Sequence, residues 1–322
     1  MILFRNLLLM ILLISIQNVL QAQTFPTKPV RIVVAFPPGG LTDIVARFVA
    51  ENLSKSWNQS VIVDNRVGAG GTIGSDYVAK SVPDGYTLLL ATLAANSIAP
   101  SVYAKLPYDA SRDFTPIMAL TGTPSVISIN PSLPAKTIAE FIEYVKVRPG
   151  TLAFSSPGIG VSAHLGMENF ALSTGLKILH VPYKGSAPAL NAVVAGEVVA
   201  TFDPITTIAP LVKAGKLRAL ATSGSKRSSL LPEVPTIAET GLPGVESYAW
   251  NGLMGPAGMP RDLVNKIYRD ASVGLKSQEF RDRMNAVGTE ILEMSPEVFG
   301  NFVKVESEKW GSIARLVGAT NQ

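Results

Sequence analysis

From residue 28 onward the chain alternates short apolar runs, rich in β-branched residues, with stretches whose hydrophobic positions recur every three or four residues. The run "PVRIVVAF" predicts a strand. Leu41 to Trp57 predicts a helix with Ile44, Val45, Phe48, Val49 and Leu53 on one face. "SVIVDNR" predicts a second strand, followed by the glycine turn "VGAGGTIGSD", a helix through Lys80 and a third strand "YTLLLAT". Strands alternating with helices of this length predict a largely parallel sheet, and hence an α/β fold.

The alternation breaks at "FTPIMALTGTPSVISINPSLPAKT", where Pro116, Pro124, Pro131 and Pro134 predict an extended connection rather than a core strand–helix–strand unit. It then restarts. The helix "IAEFIEYVKV", the strand "LAFSSP", a helix from Ser162 to Ser173 and the strand "LKILHVPY" come first. The helix "ALNAVVAG" and the strands "VVATFDP" and "LRALATSG" follow. Residues 228–260 are again rich in Pro and Gly and without period, and amphipathic helices such as "RDLVNKIYRDASVGLK" and "SPEVFGNFVKVESEKWGSIARLVG" close the chain. Two crossings would let those helices pack back on the first unit, giving two lobes with a cleft.

A length of 322 residues fits two domains, and 47% hydrophobic against 16% charged residues allows sizeable cores. The net charge of +4 comes from 28 basic and 24 acidic residues scattered without a patch, which argues against a nucleic-acid partner but favours small anions. There is no cysteine, so disulfides, thiolate nucleophiles and thiolate metal sites are excluded. Residues 1–22 place Arg5 ahead of an apolar block from Leu7 to Ile16, the layout of a signal peptide cut after Ala22, although Leu20 stands where a small residue is expected. The block is shorter than the roughly 20 residues needed to span a bilayer. Export to the periplasm is the expectation.

Three strand-to-helix junctions could carry chemistry: "FPPGGLTD" (36–43), "NRVGAGGTIGSD" (65–76) and "SSPGIGVSAHL" (155–165). Glycine allows close backbone approach, and the free N–H groups of a helix's first turn favour an anion. Such turns could hold a phosphate, carry a catalytic residue, grip a carboxylate or simply turn. No phosphate-loop motif G-x-x-x-x-G-K-[ST] occurs. Gly158-Ile-Gly160-Val-Ser-Ala163 matches G-x-G-x-x-A, but the next strand ends in "HVPYKG", without the acid that would hold a ribose. Neither G-x-S-x-G nor H-E-x-x-H is present, and Ser223-Gly-Ser-Lys226 stands without the other lactamase-type motifs. His164 and His180 are the only histidines, too few for a metal site and plainly explained as structural. Asp43 and Asp76 suit helix starts. Asp203, before Pro204, is either an Asx turn or an acceptor facing the cleft. In "HVPYKGSAPAL", Tyr183 and Lys184 could contact a ligand or lie at the surface.

The segments "KPVRIVVAFPPGGLTDIVAR", "VDNRVGAGGTIGSDYVAKSVPDGYTLLLAT", "HVPYKGSAPALNAVVAGEV" and "ATFDP" together resemble the Bug family, the extracytoplasmic solute-binding proteins of tripartite tricarboxylate transporters. The resemblance runs from Phe25 to the terminal helices. It implies a type II periplasmic-binding-protein fold, α/β in class, whose two lobes close on a small carboxylate: a di- or tricarboxylate, an acidic amino acid or an aromatic acid. Carried over by position, it implies a grip by Phe36, Pro38, Gly39, Gly40, Thr42 and Asp43, with Gly70, Gly71 and Thr72. The second lobe would add Ser155, Ser156, Gly158, Ser162 and His164, then Tyr183, Lys184 and Asp203. Asn96 is counted with them, although "TLAANSIAP" and the connection "TGTPSVIS" depart from the family's usual pattern, so the substrate does not transfer, and "FSSPG" stands where the family has a "YGSSG"-like loop. The expected lobes are 23–122 with 249–322, and 123–248. The resemblance further implies membrane subunits as partners, a monomer, and neither cofactor, metal nor catalytic residue. A secreted α/β hydrolase acting on a carboxylic substrate and a sensing module for a membrane kinase remain as alternatives.

Overall fold

The computed structural model describes residues 25–242 and 244–319; the expected signal peptide lies outside the described residues. β1 (Val30–Val34), β2 (Val61–Asn65) and β3 (Thr87–Thr92) form a parallel set in the order β2-β1-β3. β1 and β3 are buried on both faces, as continuous apolar runs require. Successive residues of β1 serve opposite sides. Ile32 and Val34 pack with Phe48 and Leu53 of α1 (Leu41–Trp57), and Val33 packs with Trp250 and Trp310. Ile44, expected on the buried face, is 40% exposed. It lies on the edge of the helix that continues to Glu51 and Lys55, an exposed ion pair.

α2 (Thr72–Ala79) precedes β3. After β3 come a π-helical turn, Ala94–Ile98, and the short α3 (Ala99–Val102). The segment expected to be a connection is a single strand, β4 (Phe114–Ile129), which at the usual rise is about 50 Å long. Its first part pairs with β9 (Tyr248–Pro256) from Phe114 to Pro124. Its last part, from Ser125 to Ile129, pairs with β7 (Ala200–Pro204). Pro116 borders a register shift and Pro124 stands where pairing passes from β9 to β7, so neither missing N–H interrupts a regular ladder.

The second sheet contains β5 (Ala153–Ser156) between β6 (Leu179–Pro182) and β7, parallel to both, while β8 (Arg218–Thr222) runs antiparallel to β4. α4 (Ile138–Lys146) and α5 (Ser162–Thr174) cover one face, where Phe141, Phe154, Phe170 and Phe202 form the core. α6 (Ser186–Ala195) and α7 (Ile205–Lys213) cover the other, through Val193, Ile205 and Ile208. α8 (Arg261–Leu275), α9 (Gln278–Ala286), β10 (Glu290–Met294) and α10 (Pro296–Leu316) complete the chain. Phe280 of α9 buries itself beside Phe48, and Phe299, Trp310 and Ile313 of α10 beside Val33 and Leu89, so the last helices return to the first sheet. The molecule is two α/β lobes joined by long shared strands.

α7 and β9 are absent from the sequence reading for identifiable reasons. α7 was hidden by a β-branched first turn and by Pro210 inside it. β9 lay within the stretch without period because Gly252 and Gly255 interrupt its pattern. Both glycines admit close neighbours: a Cβ at Gly252 would stand 2.2 Å from Phe299 Cζ, and one at Gly255 2.0 Å from Met259 Sδ.

Candidate ligand-binding site

The first junction is shaped by a buried carboxylate. Asp43, 2% exposed, accepts hydrogen bonds at Oδ2 from the Gly39 N–H (2.9 Å) and Arg47 Nε (2.8 Å), and at Oδ1 from Asn65 Nδ2 (2.9 Å). Asn65 Nδ2 also donates to the Phe36 carbonyl at 3.0 Å, so the end of β2 fixes the whole turn after β1. Burial works to raise the Asp43 pKa, but Arg47, the Gly39 N–H and Asn65 together bring it below the usual carboxylate value. Gly39 adopts φ +83°, with open space where a Cβ would be, while Pro38 and Gly40 are exposed on the same turn.

The second junction is a run of positive φ: Gly68 (142°), Ala69 (46°), Gly70 (64°) and Gly71 (96°). Gly71 is buried, and a Cβ there would meet the Phe36 ring at 3.1 Å and Ala95 Cβ at 3.2 Å. This glycine is where the first loop, the second loop and the π-helical turn come together. Within that turn Asn96 Oδ1 accepts from the Thr92 N–H at 3.0 Å, and its buried Nδ2 has no partner among the described residues. Single π-helical turns are frequent at functional sites.

In the third junction Ser155 is fully buried and donates to the Ala189 carbonyl at 2.9 Å. Ser156 Oγ lies 2.6 Å from His180 Nε2 and accepts from the Gly158 N–H at 3.2 Å. His164 Nδ1 accepts from the Gly160 N–H at 3.1 Å, and its ring stacks on His180 with centroids 3.7 Å apart. Tyr183 is half-buried, its N–H donating to the Ser156 carbonyl at 2.9 Å, and Lys184 is exposed. The serines and histidines thus hold the loop that delivers Ser162.

Half-buried His180 and fully buried Asp203, at the end of β7, titrate in opposite senses. Burial, then the adjacent His164, pushes His180 down to about 4 from 6.5, so its neutral form is favoured on folding. Folding stability from this group is lost as pH falls from 6.5 towards about 4. Burial pushes Asp203 up to about 6 from 3.8 against the hydrogen bond from Thr207, so its protonated form is favoured and stability falls as pH rises through that window. Asp203→Asn is therefore expected to raise the melting temperature at about pH 7.5 more than at about pH 4. His180→Asn should remove the opposing slope, leaving stability to decline more steeply from about pH 4 to 6.5. Thermal unfolding across this range checks both.

A cavity of about 230 Å³ lies between the lobes. Phe36, Leu41 and Thr42 line it from the first junction, and Thr92, Leu93 and Ala94 from the end of β3. The shared strands supply Thr123, Ala249, Trp250 and Asn251; the second lobe supplies Ser162, Pro204 and Thr206. Of the positions expected from sequence, Phe36, Thr42 and Ser162 stand in the wall. Asp43, Gly39, Gly71, Ser156 and His164 support it from behind. Gly70 belongs to the second loop and Thr72 opens α2, both outside the wall, and Asp203 immediately precedes wall residue Pro204.

Thr42, Ser162 and Thr206 lie in the first turns of α1, α5 and α7, and no side chain caps these three helices. Free first-turn N–H groups from both lobes therefore surround one cavity, an arrangement suited to an anion. Thr206 was missed with its helix and Trp250 with its strand; the end of β3, where α/β ligands bind, was the available signal for Thr92 to Ala94.

Comparison with known proteins identifies the family. The family model for the tripartite tricarboxylate transporter family receptor matches residues 45–319. Protein BugT of Bordetella pertussis is 37% identical over 299 residues, covering 92% of each chain. Among solved structures, Rpa4515 of R. palustris with adipate is 36% identical, with TM-score 0.77 over 92% of this chain and 100% of that one. MatC of Rhodopseudomonas palustris with bound malate is 32% identical, with TM-score 0.72 over 90% and 99%.

Proposed function

The chain belongs to the tripartite tricarboxylate transporter receptor family, and from that premise we propose that it captures a small carboxylate by lobe closure and delivers it to the membrane subunits of such a transporter. The observation that carries this reading is the convergence of three uncapped helix N-termini, from both lobes, on the cavity wall. A carboxylate there gains fixed N–H donors without a buried counter-cation. Because the donors come from both lobes, the anion binds the closed arrangement better than the open one, which is what shifts the equilibrium towards closure. The flexing unit is taken as residues 123–248 against 23–122 with 249–322, and the working form as a periplasmic monomer freed of residues 1–22. Among the described residues no helix is long and apolar enough to cross a membrane.

Binding is assigned without turnover. Ser156 and His180 are in hydrogen-bond contact, but Ser156 is fully buried, is engaged with its own loop and is absent from the cavity wall. Glu168 faces His164 Nε2 at 3.6 Å rather than orienting His180. The arrangement lacks the exposed nucleophile and oriented base that acyl transfer needs. Denaturing the purified protein and identifying the released ligand by mass spectrometry tests the reading. One unmodified carboxylate per chain is expected, and conversion of an added carboxylate into product would overturn it.

A further inference from the structure

The start of α5 serves both lobes. Ser162 stands in the cavity wall, and three residues on, Leu165 is fully buried. Met167, Phe170 and Ala171 of the same helix join the core of the second lobe. Gly166 lies so close to Phe202 of that lobe that a Cβ would stand 2.2 Å from its Cε1. Leu165 instead joins the apolar cluster of the first lobe, with Val102 of α3 and with Trp310 and Ile313 of α10. The loop ahead of α5 makes the same crossing. Gly160, at φ +72°, approaches Val102 until a Cβ would stand 2.5 Å from its Cγ1. The receiving surface is firm, because α3 and α10 meet closely: a Cβ at Gly311 would stand 2.6 Å from Ser101 Oγ.

We propose that Leu165 is a positioning residue for closure, seated in the first lobe's core when the lobes close and withdrawn from it when they open. The proposal rests on the solute-binding reading and adds a contact between the lobes to it. Turning the second lobe away about the shared strands would draw Leu165 from Val102 and Trp310 into water, so its burial favours the closed arrangement. Replacing it by Ala removes most of that burial, roughly tenfold in the ratio of closed to open chain. Leu165 is absent from the cavity wall and from the second lobe's core. It therefore strengthens the grip on every ligand alike and leaves the preference between ligands unchanged.

The chain has no cysteine, so a single introduced thiol reports its own exposure. The ligand-free mature chain is treated with Ellman's reagent as Leu165→Cys and, for reference, as Met167→Cys, whose parent side chain is fully buried in the second lobe's core. The thiol of Leu165→Cys is expected to react tenfold or more faster, because opening the lobes demands less than unfolding one of them. Equal rates would show that Leu165 is exposed only by unfolding, and would overturn the proposal. In isothermal titration Leu165→Ala should weaken adipate and malate binding by the same factor, roughly tenfold, with circular dichroism unchanged. Unchanged affinities, or a loss confined to one acid, would also overturn it. The labelling needs no ligand, so a parent that binds neither acid counts against the solute-binding reading, while the two rates still decide the closure contact.

Discussion

Gly71→Val is expected to weaken carboxylate binding by at least tenfold in isothermal titration while far-UV circular dichroism stays that of the parent. Two costs meet at this residue. Its φ of +96° lies outside the conformations that a β-branched residue adopts, and left-handed backbone costs an L-residue about 1–2 kcal/mol. The new Cβ would also stand 3.1 Å from the Phe36 ring and 3.2 Å from Ala95, before the two γ-methyls are added. The Phe36 ring is itself cavity wall, so displacing it changes the binding surface directly. A tenfold loss needs only about 1.4 kcal/mol, less than the strain and overlap together. Gly39→Val separates the two costs, because Gly39 has a similar φ of +83° but open space for a Cβ. Its smaller expected loss reports strain alone; an affinity for Gly71→Val equal to that of the parent would show that the second loop does not shape the cavity.

The same residue shows what a sequence can and cannot disclose. The glycines at 68–71 were legible as a turn near a ligand, because only glycine-rich backbone takes successive positive φ values. Their role was not legible: Gly71 seats Phe36 from behind, and that depends on a tertiary contact between loops 35 residues apart. The helix Leu41–Trp57 could be read to its ends from periodicity, and the serines at 155 and 156 could be read as the end of a strand that leads into a helix. Yet both turn inward, to Ala189 and to His180, and the neighbouring Ser162 takes the wall position. Local pattern places a junction but does not say which way each hydroxyl points. Trp250 was the larger omission, since Gly252 and Gly255 interrupt its strand to make room for Phe299 and Met259, which are distant or unmarked in sequence.

Asp43→Ala should have the other large effect, lowering the melting temperature by roughly 3–5 °C and carboxylate affinity by tenfold or more. The carboxylate is the common acceptor for the Gly39 N–H, Arg47 Nε and Asn65 Nδ2. Arg47 reaches solvent and can rehydrate, so the penalty falls on the other two donors, about 2–3 kcal/mol for lost bonds to a charged acceptor. Losing these bonds also frees the turn that positions Phe36 and Thr42, so the affinity falls without the loss of any direct ligand contact. The sign of the pH dependence follows from the lowered pKa: the contribution is present above the unfolded value of 3.8 and is lost as pH falls through the lower folded one. The difference in melting temperature between parent and Asp43→Ala should therefore shrink below about pH 4 and be full at neutral pH. Asp43→Asn, which keeps one acceptor oxygen but no charge, should fall between the two in both readouts. If instead Asp43→Ala keeps the parent's melting temperature and loses only affinity, the carboxylate contacts the ligand itself, and the support role fails.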